Sequence, residues 1–172
     1  DAFQCALGWV TNYDHDIKAY TDEWGVKWEA VSYSTSFGTG IYTEPRRGPL
    51  YDDEAIADYL PPDPDRPELY TTLQRLIDEY QEDYFIIGRL HCTIFETAWA
   101  LRGFDKLLYD FAADPALAEQ ILEIPYQYHK TMAIRMAEMG VDMLWLGDDV
   151  SSQGSLLMSP VMWRRYLKGR MA

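Results

Sequence analysis

Cysteine is scarce in this 172-residue chain: Cys5 and Cys92 are the only two. They form no CxxC pair and are too few for a disulfide framework, which excludes a stapled secreted scaffold. There is no Asn-x-Ser/Thr acceptor and no signal-peptide pattern, so a reducing cytoplasm is the expected setting. No apolar run reaches the roughly 18–20 residues that span a bilayer. Basic residues are few, 15 Lys+Arg against 28 Asp+Glu, for a net charge of −13. That balance argues against binding to nucleic acid or to an anionic membrane, both of which call for a basic face. Neither a GxGxxG nor a Walker loop follows any strand-like run, which leaves dinucleotide and P-loop chemistry without support. The chain opens at Asp1 with no initiator Met, which points to a piece of a longer protein.

What is present is ample apolar content, 48%, with 15% aromatics, enough for a packed core in one domain or part of one. Residues 1–60 have weak periodicity; Phe3–Val10 and Val26–Tyr33 read as short strands, and Thr39-Gly40 and Arg47-Gly48-Pro49 as turns. Residues 60–67 hold four prolines, which fix φ and delete amide donors, so they form a rigid connector. Beyond it the pattern is regular. Pro67 suits a first helical position, and Leu69, Leu73, Leu76, Ile77 and Tyr80 recur at helical steps. Residues 84–90 read as a buried strand, 94–102 as a helix ending at Gly103, and Phe104 to Phe111 as another helix. Asp114-Pro115 opens a long apolar face running to Gly140, with a kink or break expected at Pro125. Residues 141–147 read as a second buried strand, and Ser159-Pro160 starts a last helix. Helices alternating with buried strands predict a parallel α/β fold, and a complete eightfold barrel needs about 250 residues, so the expectation is a partial (β/α)8 barrel.

The strongest chemical signal is Asp148-Asp149, two carboxylates just past the end of a predicted buried strand, the edge where parallel α/β folds bind ligands. Alternation points one toward the barrel mouth and the other toward the helix layer. The competing assignment is a cap or Asx turn where strand meets loop. Asp22-Glu23-Trp24-Gly25 suits a pocket wall or a surface turn equally well. After the first clear strand, His91 and Cys92 are adjacent, a spacing unsuited to metal, and read as a capped or solvent-facing His and a packed Cys, while Glu96 can reach the mouth from the next helix. His129 reads as a helix-surface residue, and Met132, Met136 and Met139 as a core stripe.

Asp22-Glu23-Trp24-Gly25-Val26, Phe95-Glu96 with Ala100-Leu101-Arg102-Gly103-Phe104, and Leu146-Gly147-Asp148-Asp149 through Met158-Ser159-Pro160 with Trp163 and Leu167-Lys168 resemble the uroporphyrinogen decarboxylase superfamily. More narrowly, they resemble its divergent branch near the corrinoid- and coenzyme-M-linked methyltransferases. The resemblance covers most of residues 20–170 and implies an internal portion of a (β/α)8 barrel, lacking the first strand and the C-terminal half. Residues 1–172 then belong to one barrel domain, with the 60–67 connector inside it.

By that resemblance, Asp22 matches the aspartate that binds pyrrole N–H groups. Trp99 stands in place of a tyrosine, Asp149 in place of a serine, and Asp148 matches the acidic residue before it. The implied catalytic set is Asp148, Asp149 and Asp22; the implied substrate-binding set is Trp24, Glu96, Trp99 and Gln153; no metal ligand is assigned. The implied activity is decarboxylation of porphyrinogen acetate side chains, a lyase step of porphyrin biosynthesis that needs no cofactor. Two alternatives stand beside it: a corrinoid-dependent methyltransferase, with zinc ligands outside this chain, and a non-catalytic tetrapyrrole- or corrinoid-binding barrel. The implied partners are a tetrapyrrole or corrinoid-linked substrate, a corrinoid protein for methyl transfer, and a second copy of the full-length chain. Uroporphyrinogen carries eight carboxylates. An aspartate in place of a serine adds a like charge worth about 1 kcal/mol at about 4 Å in water and several times more near a protein surface.

Overall fold

The computed structural model describes residues 2–6, 10–14 and 18–172, with 3–6 and 10–14 described by their backbone. Two sheets organise it. Strands β1 (Ala2–Ala6), β6 (Phe85–Leu90) and β7 (Met143–Leu146) form a parallel sheet in the order β1-β6-β7. Strands β2 (Val10–Asp14), β3 (Ala19–Asp22), β4 (Lys27–Thr35) and β5 (Gly38–Pro45) form an antiparallel meander between β1 and the first helix. The parallel sheet with its helical crossovers is the expected partial α/β barrel, and it does not close.

The crossover from β1 to β6 includes α1 (Thr71–Tyr80), which buries Leu73 and Ile77. A short 3-10 turn at Pro67–Leu69, with proline at its first position, precedes α1, so the α-helix begins later than the sequence predicts. From β6 to β7 the chain runs through α2 (Phe95–Arg102), α3 (Phe104–Ala113) and α4 (Pro115–Met139). Gly103 ends α2 at φ 99, a conformation that a side chain would strain. Asp114 caps α4 by accepting the Leu117 N–H, with Pro115 at the first position as expected. The helix continues through Pro125 as one 25-residue element, so the expected break does not occur. Ser159 caps α5 (Pro160–Trp163), which passes through a π-turn at Arg164–Lys168 into α6 (Gly169–Met171).

The core lies between the parallel sheet and these helices. A Cβ on Gly88 would come within 2.8 Å of Met136 Sδ, so the bare glycine is what lets α4 seat on β6. Met132 and Met136 are buried in that contact, as the core-stripe expectation holds. Among the described residues, no helix is long and apolar enough to cross a membrane.

Three further expectations need correction. The second strand, expected to be buried, is not: Met143, Trp145 and Leu146 of β7 are exposed. Thr39-Gly40 is no turn: both residues lie inside β5, paired with Ser34 and Tyr33 of β4. The chain reverses at residues 36–37 instead, where Phe37 projects almost wholly into solvent. His129 is not on a helix surface; it is buried in α4 against Trp24 and Tyr128, with ring centroids at 5.9 Å and 5.2 Å. His15 and the side chain of Cys5 lie outside the described residues.

Candidate active site

At the carboxyl ends of β6 and β7 the backbone is held by a short ladder continued into the loops. Gly147 N–H donates to the Leu90 carbonyl at 2.9 Å, and Thr93 N–H donates to the Gly147 carbonyl at 3.0 Å. This brings the loop after β7 over the start of α2. Asp148 then meets three N–H groups that the helix itself cannot satisfy. Its Oδ2 accepts from Ile94 N at 2.9 Å and Phe95 N at 2.8 Å, and its Oδ1 accepts from Glu96 N at 2.8 Å. Burial raises the Asp148 pKa, and these donors and the Thr93 side chain oppose that rise. Both oxygens are engaged, so Asp148 serves as the cap of a helix distant in sequence. Asp149, its neighbour, is exposed at the rim, and its N–H donates to Glu96 Oε2 at 2.9 Å. Asp148 is thus turned to the start of α2, while Asp149 stays exposed.

Glu96 is the carboxyl aimed into a cavity. It rises from the first turn of α2 and lines a pocket of about 30 Å3 together with Asp22, Trp24, Trp28, Cys92 and Trp99. Burial pushes its pKa above the usual glutamate value, the Asp149 N–H bond works against that, and the charges of Asp148 and Asp149 reinforce it. Cys92 sits at φ 49, an unusual left-handed conformation for a side-chain-bearing residue, and occupies the turn where β6 gives way to the loop. Its thiol is pushed up to about 12 by burial and the nearby carboxyls, so it is a protonated wall group rather than a thiolate. Sγ lies 3.8 Å from Nδ1 of the adjacent His91, whose own pKa is lowered by burial and then by Arg89.

Asp22 reaches this pocket from the end of β3. Oδ1 accepts the N–H groups of Trp24 and Val26, both at 2.9 Å, which fixes the tight turn into β4. Oδ2 accepts the indole N–H of Trp28 at 2.7 Å. Burial raises its pKa against those three bonds. The turn is anchored from outside as well: Tyr59 O–H donates to the Trp24 carbonyl at 2.8 Å, and Tyr128 O–H donates to Glu23, which also pairs with Arg66.

A wider cleft of about 390 Å3 adjoins the small pocket and shares Trp28, Trp99 and Ala100 with it. Its other walls include Tyr42, Pro45, Arg46 and Phe104, so the antiparallel meander and α2 face each other across it. Of the residues singled out in the sequence, Asp22, Trp24, Glu96 and Trp99 come together here. Asp148 and Asp149 hold the frame behind Glu96, and Gln153 is exposed in the loop after β7, away from the pocket walls. Trp28 and Cys92 are the members that sequence reasoning missed. Trp28 gave no signal beyond its aromatic character, whereas the position of Cys92 after a buried strand did mark it. Among the described residues, no three His, Cys, Asp or Glu side chains converge to hold a metal ion.

A solved structure described as a methyltransferase from Methanosarcina mazei shares this fold, with a TM-score of 0.56 and 20% sequence identity. The match covers 83% of this chain and 42% of that one, so this chain spans under half the length of its structural relative. A search of curated proteins finds no match. The family model for uroporphyrinogen decarboxylase (URO-D) matches residues 2–172. An open parallel sheet with its strand ends facing an acid-lined, tryptophan-walled pocket is therefore the local form taken by a chain that belongs to the uroporphyrinogen decarboxylase family.

Proposed function

We propose that this chain carries the donor-binding half of a methyl-transferring member of the family, with Glu96 as the proton donor to the leaving group. The observation that carries this reading is the lining of the small pocket: two carboxyls raised by burial, Asp22 and Glu96, among three tryptophans and with no cation. A substrate with eight carboxylates needs cations, and among the described residues Arg46, itself paired with Glu29, is the only one in either set of walls. The dimensions agree: about 30 Å3 admits one water or a methyl-sized group, and about 390 Å3 is the scale of a small flat molecule.

The step balances simply. In a donor R–O–CH3 whose ring rests between Trp28 and Trp99, an external nucleophile takes the methyl carbon and the C–O bond breaks toward oxygen. The proton on Glu96 passes to that oxygen, giving R–OH and leaving a glutamate to be reprotonated from solvent. The raised pKa favours the protonated form of Glu96 that this step needs. Asp148 fixes the first turn of α2 and hence the carboxyl, while Asp149 N–H holds its second oxygen. By resemblance the acceptor is a corrinoid protein, a second substrate rather than a resident group.

Methyl aryl ethers assayed with the full-length protein and a reduced corrinoid acceptor test this. Turnover is expected, and E96Q should lower kcat at least a hundredfold with the melting temperature unchanged. Full turnover by E96Q, or turnover of porphyrinogens but not ethers, overturns the reading. The second of those outcomes returns the chain to decarboxylation, in which the carboxyls would stabilise the cationic pyrrole formed as CO2 departs.

A further inference from the structure

A second cavity, of about 160 Å3, lies between the carboxyl ends of β6 and β7, the start of α2, and helices α4 and α6. It shares no lining residue with the acid-lined cleft. Leu90, Ile94 and Leu146 give it an apolar wall, and His129, Lys130 and Arg170 bring polar atoms to it. His129 is 9% exposed, and neither ring nitrogen has a hydrogen-bond partner among the described residues. Arg170 Nε is likewise buried without a partner, although its terminal nitrogens donate to the Tyr166 carbonyl at 2.7 Å and to Glu123 Oε2 at 3.2 Å. Both cations lie near the Tyr126 ring, Lys130 at 5.5 Å and Arg170 at 5.9 Å from its centroid.

Buried polar atoms are almost always paired, so three orphaned nitrogens in two side chains on one cavity call for a common partner. The wall holds two cations and no carboxylate, in a chain whose net charge is −13. The volume admits about four to six non-hydrogen atoms, given a share of about 30 Å3 for each water-sized group. The apolar side of the cavity favours a ligand with a short hydrocarbon body over an inorganic anion, which would have to shed its hydration against leucine and isoleucine.

We propose that this cavity binds a small organic monocarboxylate, its oxygens accepting from Arg170 Nε, the Lys130 ammonium and the ring N–H of His129, its short chain resting on Leu90, Ile94 and Leu146. The neutral imidazole suits the task because one ring nitrogen is a donor and the other an acceptor. Burial holds it neutral, with a pKa lowered to about 3. Trp24 links the two sites without lining the second, as a wall of the small pocket and as a neighbour of the His129 ring at 5.9 Å.

The test is titration of the full-length protein, labelled with 15N-histidine, with propionate and separately with sulfate at matched ionic strength. The His129 ring signals, assigned from their loss in H129F, should shift saturably with propionate and not with sulfate. R170Q should weaken propionate binding at least tenfold and K130Q severalfold, each with an unchanged melting temperature in the absence of ligand. No saturable shift, an affinity unchanged in R170Q, or sulfate binding as tightly as propionate would each overturn the proposal.

Discussion

Three backbone N–H groups at the start of α2 have no acceptor within the helix, and one carboxylate from another element serves all of them. Because Asp148 is committed in this way, its removal registers in stability before chemistry. D148A should cost about 2–4 kcal/mol, the sum of a lost cap and N–H groups left buried without an acceptor. D148N, which keeps one carbonyl oxygen in place, should cost less. Denaturant midpoints measure both, and a D148A midpoint equal to that of the parent chain would show that the cap contributes nothing. The sequence made Asp148-Asp149 conspicuous through their place at a strand end, and that much was legible. The division of labour was not, because the partner N–H groups lie more than fifty positions away and no local spacing encodes them. His129 was hidden for a related reason: one imidazole on an amphipathic helix reads as solvent-facing until Trp24 and Tyr128 are packed against it.

Among the described residues, one ion pair buried on both sides, Arg102–Asp110, joins elements alongside the apolar core. Arg102, at the end of α2, is 2% exposed. It donates to Asp110 of α3 at 2.7 Å, to the Leu50 carbonyl at 3.0 Å and to Asp53 at 2.7 Å, clamping the segment after the meander onto the α2–α3 corner. R102M leaves Asp110 buried and unpaired, and should destabilise by about 3–5 kcal/mol. The double variant R102M/D110L removes both charges and should recover a large part of that loss. Equal midpoints for the single and double variants would mean that the pair is not what holds the corner. Helix α4 was readable because its local Asp114 cap and apolar spacing agree with its packing, and α2 through the Gly103 that ends it. Of β4 and β5 in the antiparallel meander, only β4 was foreshadowed, by the strand read over Val26–Tyr33; β5 is exposed over most of its length and lacks the alternation that marks a half-buried strand. The small pocket depends on that same meander, which delivers Asp22, Trp24 and Trp28 to it.

At the scale of the whole molecule, an open parallel sheet presents its strand ends to a cleft built from two sources, the inserted meander and the helix after β6. The family sets the barrel plan, and the residues at its rim set the chemistry. Tryptophans line the small pocket, and burial raises the pKa of the Glu96 carboxyl beside them. The proposed methyl transfer requires a proton on that carboxyl. The pH dependence of single-turnover demethylation by the full-length protein tests it most directly. The rate constant should be flat at low pH and fall as pH rises through the raised pKa of Glu96, because only the protonated acid can discharge the leaving oxygen. In E96Q the rate constant should be low and without that falling limb. The same falling limb in E96Q, at an undiminished rate, would contradict the assignment.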